Sequence, residues 1–321
     1  MGHDDAVLHL RLRVPGDLTD EVVALLGADE TVTNLAVVPR GFLKPEGCLV
    51  LADVARESAT GVVKRLRDLD VQHRGSISIE EIDTILSDEA ARAERLAPGA
   101  PDDGVVWVSV EQKLRDDSRL SWAFIAFMTL AALLAGAGRI TDQPILIVGA
   151  MVVGPEFSPI AAICFAFAHP RLGMLPAALR SLAVGFAAAT AVATVFWAVG
   201  YRLGAFTQHQ ASSGPLTDFI VSPDAWSFVV ACLAGVAGVL SLTTAKSGPL
   251  VGVFISVTTI PAVGTLAVCL ACGVWGEAGS ALTQLAINLV GMFLAGTTAL
   301  ALQRQVWRRV AARDAHPGLV R

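Results

Sequence analysis

The feature that most constrains this chain is a series of apolar runs that begins at Ser121. The runs are about 20 to 30 residues long, which is the length that a helix needs to cross a ~30 Å hydrocarbon core at ~1.5 Å per residue. The mean hydropathy of the chain is +0.59, and most of its acidic residues precede position 118. The pattern predicts a soluble domain followed by a polytopic α-helical membrane domain.

Six transmembrane helices are predicted, at about 121–138, 144–168, 176–200, 225–245, 249–273 and 279–302. With a cytosolic N-terminus, ten basic residues fall on the cytosolic side, and only Arg139 and Arg202 fall outside. The ten are Lys113, Arg115, Arg119, Arg171, Arg180, Lys246, Arg304, Arg308, Arg309 and Arg313. The positive-inside rule therefore predicts a protein of the cytoplasmic (inner) membrane with both termini in the cytosol.

Residues 1–86 alternate between strand-like and helix-like patterns in the order β-α-β-β-α-β, which predicts a cytosolic ferredoxin-like domain of the α+β class. Residues 87–118 are interpreted as a linker and a juxtamembrane helix, 119–303 as the transmembrane domain and 304–321 as a basic cytosolic tail. The head contains no phosphate loop, nucleophile with a base, or metal cluster. A regulatory or assembly role is expected rather than an enzyme activity, with no catalytic residue.

Composition also limits the partners. No basic stripe with interleaved aromatic residues occurs, which argues against nucleic-acid binding. Four of the five cysteines lie within apolar spans, where packing is the simpler role. We expect no cofactor and no metal. The expected partners are the lipid bilayer, a small solute or ion of unknown identity, and further copies of the chain.

The second span contains a carboxylate, Glu156, beside Gly154, Pro155 and Pro159, and the fifth span contains Pro261 at its centre. A proline inside a helix costs about 3 kcal/mol, and an acidic side chain at mid-membrane about 2.5–3.5 kcal/mol. Both spans are therefore predicted to break at mid-membrane. Glu156 is predicted to face the bundle or a wet cavity, either as a functional group or as a protonated side chain that only joins helices.

When the sequence is aligned with itself at a shift of 103 residues, the first three predicted spans align with the last three without gaps. Because three is an odd number, the second half would be inverted relative to the first, which is a plan found in transporters. The shift aligns Glu156 with Thr259, which follows Thr258 beside the second break. It would allow the two breaks to face each other across a pseudo-twofold axis.

Three further polar residues are candidates for a solute or ion pathway. Gln284 and Asn288 lie one turn apart on the sixth span, where interhelical hydrogen bonding is the favoured interpretation. Lys246 lies at the cytosolic edge, where it either extends to the membrane surface or attracts an anion. Small residues at 234–240 and 291–296 favour close helix packing.

Three segments resemble a known family: "PILIVGAMVVGPEFSPIAAICFAFAHPRL", "GVAGVLSLTTAKSGPLVGVFISVTTIPAVGTLAVCLACGVWGEA" and "LTQLAINLVGMFLAG". They are similar to the prokaryotic membrane family called domain of unknown function 389, over about 118–303. The resemblance implies a membrane domain, often with a ferredoxin-like cytosolic head, and no established substrate. The second-span motif of that family usually has small or apolar residues where this chain has Glu156.

The leading hypothesis is a transporter or channel for a small solute or ion, with its pathway near Glu156, Thr258 and Thr259. The alternative is a non-transporting membrane sensor or oligomeric scaffold whose head binds a ligand or partner.

Overall fold

The computed structural model describes residues 7–82, 87–97, 105–243 and 259–314. The chain divides into two compact units, with the main division between Val110 and Glu111. The first unit contains an antiparallel sheet, and the second is helical.

The head contains a four-stranded sheet in the order β2-β3-β1-β4, with every neighbouring pair antiparallel. Its elements are β1 Val7–Val14, α1 Thr19–Gly27, β2 Val32–Leu43, β3 Glu46–Ala55, α2 Arg56–Asp68, α3 Val71–Arg74 and β4 Ser76–Glu81. Apart from the short α3, this is the predicted order of strands and helices.

The alternating sequence of β1 explains its place in the sheet. Leu8, Leu10 and Leu12 are buried, whereas Arg11 between them is exposed, because successive side chains of a strand point to opposite faces. The buried face packs against apolar residues of α1 and α2 such as Leu26 and Leu66. Burial of these side chains from both layers forms the core of the head.

The head extends beyond the boundary at 86 that we predicted. A fourth helix, α4 (Asp88–Leu96), is capped by Ser87 and contacts β2 and β3. Val106 is buried in the core of the head, and the Thr60 hydroxyl donates a hydrogen bond to the Val105 carbonyl oxygen at 2.9 Å. Part of the predicted linker is therefore a structural part of the head, while residues 98–104 lie outside the described residues.

Nine further helices follow in the described residues, together with short 3₁₀ turns. They are α5 Trp107–Asp117, α6 Trp122–Ile140, α7 Pro144–Val153, α8 Phe157–Ala168, α9 Leu175–Arg202, α10 Gln208–Ser212, α11 Ala225–Thr243, α12 Ile260–Cys272 and α13 Trp275–Asp314, of which α5 is the predicted juxtamembrane helix. Four of them, α6, α9, α11 and α13, are long and apolar enough to cross a membrane. The pair α7 and α8 passes the same test as one span bent by 57°.

These helices match the predicted spans closely, with two differences. The predicted fifth span begins outside the described residues, and its described part, α12, has 13 residues and is too short to cross a bilayer alone. Helix α13 continues to Asp314, so the predicted basic tail begins as a continuation of this helix rather than as a separate segment. Residues 315–321 lie outside the described part.

The helices repeat at the predicted spacing. Trp122 and Ala225 begin α6 and α11, and Phe157 and Ile260 begin α8 and α12. In each pair, the second helix begins 103 positions after the first. The apolar helices that begin at Leu172 and Trp275 have the same spacing. The two halves therefore share one order of helices despite their weak sequence identity.

The halves are interlocked through their short helices. Helix α12 of the second half packs against α6 and α9 of the first half. Conversely, Cys164 of α8 lies 3.7 Å from the Phe293 carbonyl oxygen of α13, and Phe167 of α8 contacts the Phe293 ring edge-to-face at 5.3 Å. Each half thus provides a short helix to the other.

Glycine residues permit the closest of these contacts. A methyl group added at Gly264 of α12 would lie 2.5 Å from Ala135 Cβ and 2.8 Å from the Ala132 carbonyl oxygen. Within the second half, a methyl group at Gly235 of α11 would lie 2.6 Å from the Met292 carbonyl oxygen of α13. The predicted close packing of the small residues is confirmed here, because the backbones themselves are in contact.

We predict that Gly264→Ala destabilises the membrane domain by about 1–3 kcal/mol, because the new methyl group overlaps the backbone of α6. Gly149→Ala on α7 is the matched control, since nothing lies within 4 Å of its added methyl group. The control should be neutral or more stable by up to about 1 kcal/mol, from helix propensity alone. Thermal unfolding in detergent measures both variants, and equal midpoints would contradict the proposed contact.

The head contains a carboxyl group that should respond to pH. Burial raises the pKa of Glu57 from its ordinary 4.5 to about 7, and the negative charge of Glu94 adds to the rise. Because the pKa is higher in the folded state, protonation stabilises the fold fully below pH 4.5, and this contribution disappears as the pH rises through about 7.

We therefore expect Glu57→Gln to stabilise the head at pH 8 by about 1–2 kcal/mol and to have little effect below pH 4.5. Hydrogen exchange of α2 peptides in the full chain, compared with wild type at each pH, measures the change. Glu21→Gln, on the exposed surface of α1, should have no such effect. A stabilisation that is the same at both pH values would contradict the assignment.

Candidate functional site

The candidate site is the break between α7 and α8. Helix α7 ends at Val153 and α8 begins at Phe157, so residues 154–156 form the break. Glu156 is only 1% exposed. The predicted inward orientation of this carboxyl group agrees with its burial among the described helices.

The residues around Glu156 explain the shape of the break. Gly154 has an extended backbone, and a methyl group there would overlap Glu156 Oε2 and lie 2.7 Å from Ile260 Cγ1. Pro155 follows in the break itself, where its missing N–H removes no helical hydrogen bond. The carboxyl group therefore occupies the space that a side chain at position 154 would fill.

The other two prolines act differently from our prediction. Pro159 is the third residue of α8 and Pro261 is the second residue of α12. Proline is tolerated in the first turn of a helix, where the N–H groups have no intrahelical acceptor. Pro159 and Pro261 therefore lie in the first turn of a helix, where neither removes a hydrogen bond from the helix interior.

The second half provides the partner of Glu156. The Thr259 hydroxyl donates a hydrogen bond to Glu156 Oε1 at 2.7 Å, and Thr259 is completely buried at the start of α12. These two residues are separated by 103 positions, which is the repeat spacing. The break in the first half and the start of α12 in the second half therefore meet in one buried contact.

Of the remaining polar candidates, the structure describes Gln284 and Asn288. Gln284 Nε2 donates to Asn288 Oδ1 at 3.3 Å, and the two side chains are 7% and 0% exposed. This bond runs along a single helix, α13. Thr258 and Lys246 lie outside the described residues.

A cavity of about 400 Å³ lies beside these helices, but it is apolar throughout. It is lined by Ile160, Ile163, Phe167, Leu175, Leu179, Leu182, Leu289, Val290 and Phe293. None of the predicted polar residues contributes to its wall. Among the described residues, no group of three or more His, Cys, Asp or Glu side chains could hold a metal ion.

Sequence reasoning missed Arg139 as a functional residue. It was counted only as a charge outside the membrane, but its side chain is completely buried and lies within 3.2 Å of carboxylate oxygens of both Asp218 and Glu277. One signal could have revealed it. The predicted outside loops contain several acidic residues, and Arg139 is one of only two basic residues available to them.

The contact between Thr259 and Glu156 has a specific chemical capacity. A hydroxyl group can donate to a carboxylate oxygen or accept from a carboxylic acid, so Thr259 can remain bonded in both protonation states of Glu156. The site can therefore exchange a proton without breaking its contact between the halves.

Comparison with known proteins supports the predicted resemblance. Residues 151–294 match the family model described as "Domain of unknown function (DUF389)". The resemblance is confirmed over this range. The matched range begins in α7, contains the break at residues 154–156 and the start of α12, and ends in α13.

The chain is also similar to a curated protein that is described as uncharacterised. It is a protein of Methanocaldococcus jannaschii that is 25% identical over 179 residues, which are 56% of this chain and 53% of the relative. The match therefore spans about half the length of that relative. No solved structure matches the chain.

We predict that Thr259→Val destabilises the membrane domain by about 1–2 kcal/mol, because a buried carboxyl oxygen loses its donor. Thr265→Val on the same helix is the matched control. Thr265 is equally buried, and its hydroxyl has no hydrogen-bond partner among the described residues.

The control should be neutral or stabilising. The cost of Thr259→Val should fall by about 1 kcal/mol or more when Glu156 is also replaced by leucine. Thermal unfolding of the four combinations in detergent provides this comparison. Additive effects of the two substitutions would exclude an energetic contribution of the hydrogen bond.

Proposed function

We propose that the membrane domain is a transporter or channel for a small solute or ion, with its pathway passing the contact between the two helix breaks. The observation that carries this proposal is the hydrogen bond from Thr259 to Glu156, between equivalent positions of the two halves. In this proposal Glu156 binds and releases a proton as the pathway changes conformation.

Placing a carboxyl group among apolar helices costs free energy. A carboxyl group near mid-membrane costs about 2.5–3.5 kcal/mol on insertion scales. A threonine hydroxyl partner recovers only part of this cost, and an apolar pair would hold the helices together without it. A functional role explains why a titratable group occupies the point where the halves meet.

The proposed topology extends the observed helices. We propose six crossings, in which the fifth is completed by residues before Ile260, and two inverted halves of three crossings each. Both termini would lie in the cytosol of a cell whose cytoplasmic membrane contains the protein, as the distribution of basic residues predicts. Inverted halves place a binding site near the midplane, where each half can move relative to the other.

The head is proposed to be ferredoxin-like and regulatory. Its strand order of β2-β3-β1-β4 and antiparallel pairing support this interpretation. We also propose that the protein is not an enzyme, binds no nucleic acid, and forms homo-oligomers in the bilayer. Fold alone does not identify the ligand of such a head.

A second candidate function is a non-transporting sensor or oligomeric scaffold. The apolar wall of the 400 Å³ cavity favours this candidate, because no polar candidate contributes to that wall. In this case the Glu156 contact would serve only to join the two halves, and the cytosolic head would bind the ligand or partner.

The test is a flux measurement in liposomes that contain the purified chain, with a panel of labelled ions and small solutes under a pH gradient. We expect flux of at least one solute, and a decrease of about tenfold or more in Glu156→Gln, because a charged hydrogen-bond acceptor is lost. Asp224→Asn removes an exposed carboxylate from the same domain and should retain wild-type flux. Equal flux in wild type and Glu156→Gln for every solute would exclude the coupling role.

A further inference from the structure

The connection between α9 and α11 consists of residues 203–224. It accepts hydrogen bonds from the buried guanidinium group of Arg139. Its nitrogen atoms donate to the carbonyl oxygens of Ala211 at 3.2 Å and Ser212 at 3.0 Å. They also donate to the Thr217 hydroxyl at 3.1 Å and to Asp218 Oδ1 at 2.9 Å. Four partners of one side chain thus lie in this single connection, which we call the lid.

The same guanidinium group joins the lid to the second half of the domain. Its fifth hydrogen bond goes to Glu277 Oε2 at 3.2 Å, and Glu277 lies in the first turn of α13. Because Arg139 is in the last turn of α6, the group connects the first half, the lid and the second half. We call Arg139, Thr217, Asp218 and Glu277 the latch.

A second set of hydrogen bonds supports the latch from the end of α6. Asp142 accepts hydrogen bonds from the Leu216 backbone N–H at 3.1 Å and from the Thr217 hydroxyl at 3.0 Å. The close approach requires a glycine in the lid, since a methyl group at Gly214 would lie 2.7 Å from Asp142 Oδ1 and would overlap the Thr217 hydroxyl. The polar groups of the lid therefore converge on one end of α6.

The lid covers the far end of α12, the helix that Thr259 begins. Phe206 and Ala211 of the lid pack with Val268 and Cys272 of α12 in a small buried cluster. Cys272 is 9% exposed and Cys269 is completely buried beneath it, with its sulfur 4.0 Å from Glu277 Oε2. Movement of the lid would expose this end of α12 to water.

The burial of the latch differs between its two sides. Arg139 is completely buried, while the side chains of Asp218 and Glu277 are 50% and 26% exposed. Half-exposed carboxylates regain hydration easily, so ion pairs of this kind contribute little free energy and can open reversibly. The backbone contact of Gly264 with α6, in contrast, cannot separate without disrupting the bundle.

We propose that residues 203–224 are a releasable lid over one mouth of the membrane domain, and that the latch centred on Arg139 keeps it closed. This inference rests on the proposed function for its purpose, because a lid controls access only if a solute enters the domain. The lid itself is a physical property that can be tested without a transported solute. Its opening would make Cys272 and Cys269 reactive toward a reagent dissolved in water.

The test measures the rate of labelling by a highly polar maleimide in the detergent-solubilised full chain. Cys48, Cys164, Cys232 and Cys269 are replaced by serine, so that only Cys272 can react. Cys269 is removed because its sulfur lies beside Glu277 and would respond directly to the loss of that charge. We expect the double variant Asp218→Asn with Glu277→Gln to be labelled about threefold faster or more than the protein with an intact latch. The reason is that the loss of two partly exposed ion pairs favours opening of the lid. Arg139→Lys, which retains the charge but cannot donate to all five oxygens, should show an intermediate rate.

The matched control is Asp224→Asn. Asp224 lies in the same connection and is exposed, and its carboxylate accepts hydrogen bonds from the backbone N–H and the hydroxyl group of Ser227. The labelling rate of the Asp224→Asn variant should equal that of the protein with an intact latch. Unfolding midpoints within a few degrees of wild type show that the variants are folded, and Cys272→Ser identifies the reacting thiol.

Each outcome decides between the two proposals. A folded latch variant with an unchanged labelling rate would overturn the lid, and so would an equal increase in the Asp224→Asn control. Faster labelling without flux of any solute would retain the lid and contradict the proposed transport. Flux that depends on Glu156 together with unchanged labelling would retain transport and reject the lid.

Discussion

The structure depends on one constraint: a helix that breaks within an apolar bundle must find partners for its freed polar groups inside the protein. The break at residues 154–156 and the start of α12 satisfy this constraint together. The carboxyl group of Glu156 and the hydroxyl group of Thr259 meet at 2.7 Å, and neither side chain is more than 1% exposed. The polar groups at two helix ends therefore become one buried contact.

The short helices after the two breaks follow from the same constraint. Helices α8 and α12 have 12 and 13 residues, and a helix of that length covers only about 18–20 Å of a ~30 Å core. Such a helix is stable in a membrane only when neighbouring helices surround it. The structure meets this need by exchange, since α12 lies among helices of the first half and α8 contacts α13 of the second. Gly264 permits the exchange of α12 because it lets the backbone of α12 meet the backbone of α6.

The two polar groups of the membrane domain differ in their access to water. Glu156 is enclosed by the bundle, so its contact with Thr259 is separated from solvent on every described side. The latch around Arg139 has one buried cation and two carboxylates that are partly exposed. A buried contact at the centre suits a group that must be protected during a conformational change. A partly hydrated cluster at one end suits a contact that must open and close.

Much of the architecture was predictable because hydropathy and alternation are local properties. Helix α6 runs from Trp122 to Ile140, close to the predicted 121–138, and the order of strands in the head follows its alternating segments. The repeat spacing was also visible, although identity at that spacing was weak. The contribution of Val105 and Val106 to the head was missed, since their partners lie more than 40 residues away in the chain.

By itself, the sequence determined which segments are apolar enough for a membrane, where the prolines and glycines weaken helices, and which polar residues lie among them. Only the tertiary structure decided which of these polar residues meet. Thr259 reaches Glu156 across 103 residues, and Arg139 reaches Glu277 across 138. The physical reason is that hydrophobic length and helix propensity act within a few turns, whereas the partner of a buried polar group is selected by the packing of helices that are distant in sequence.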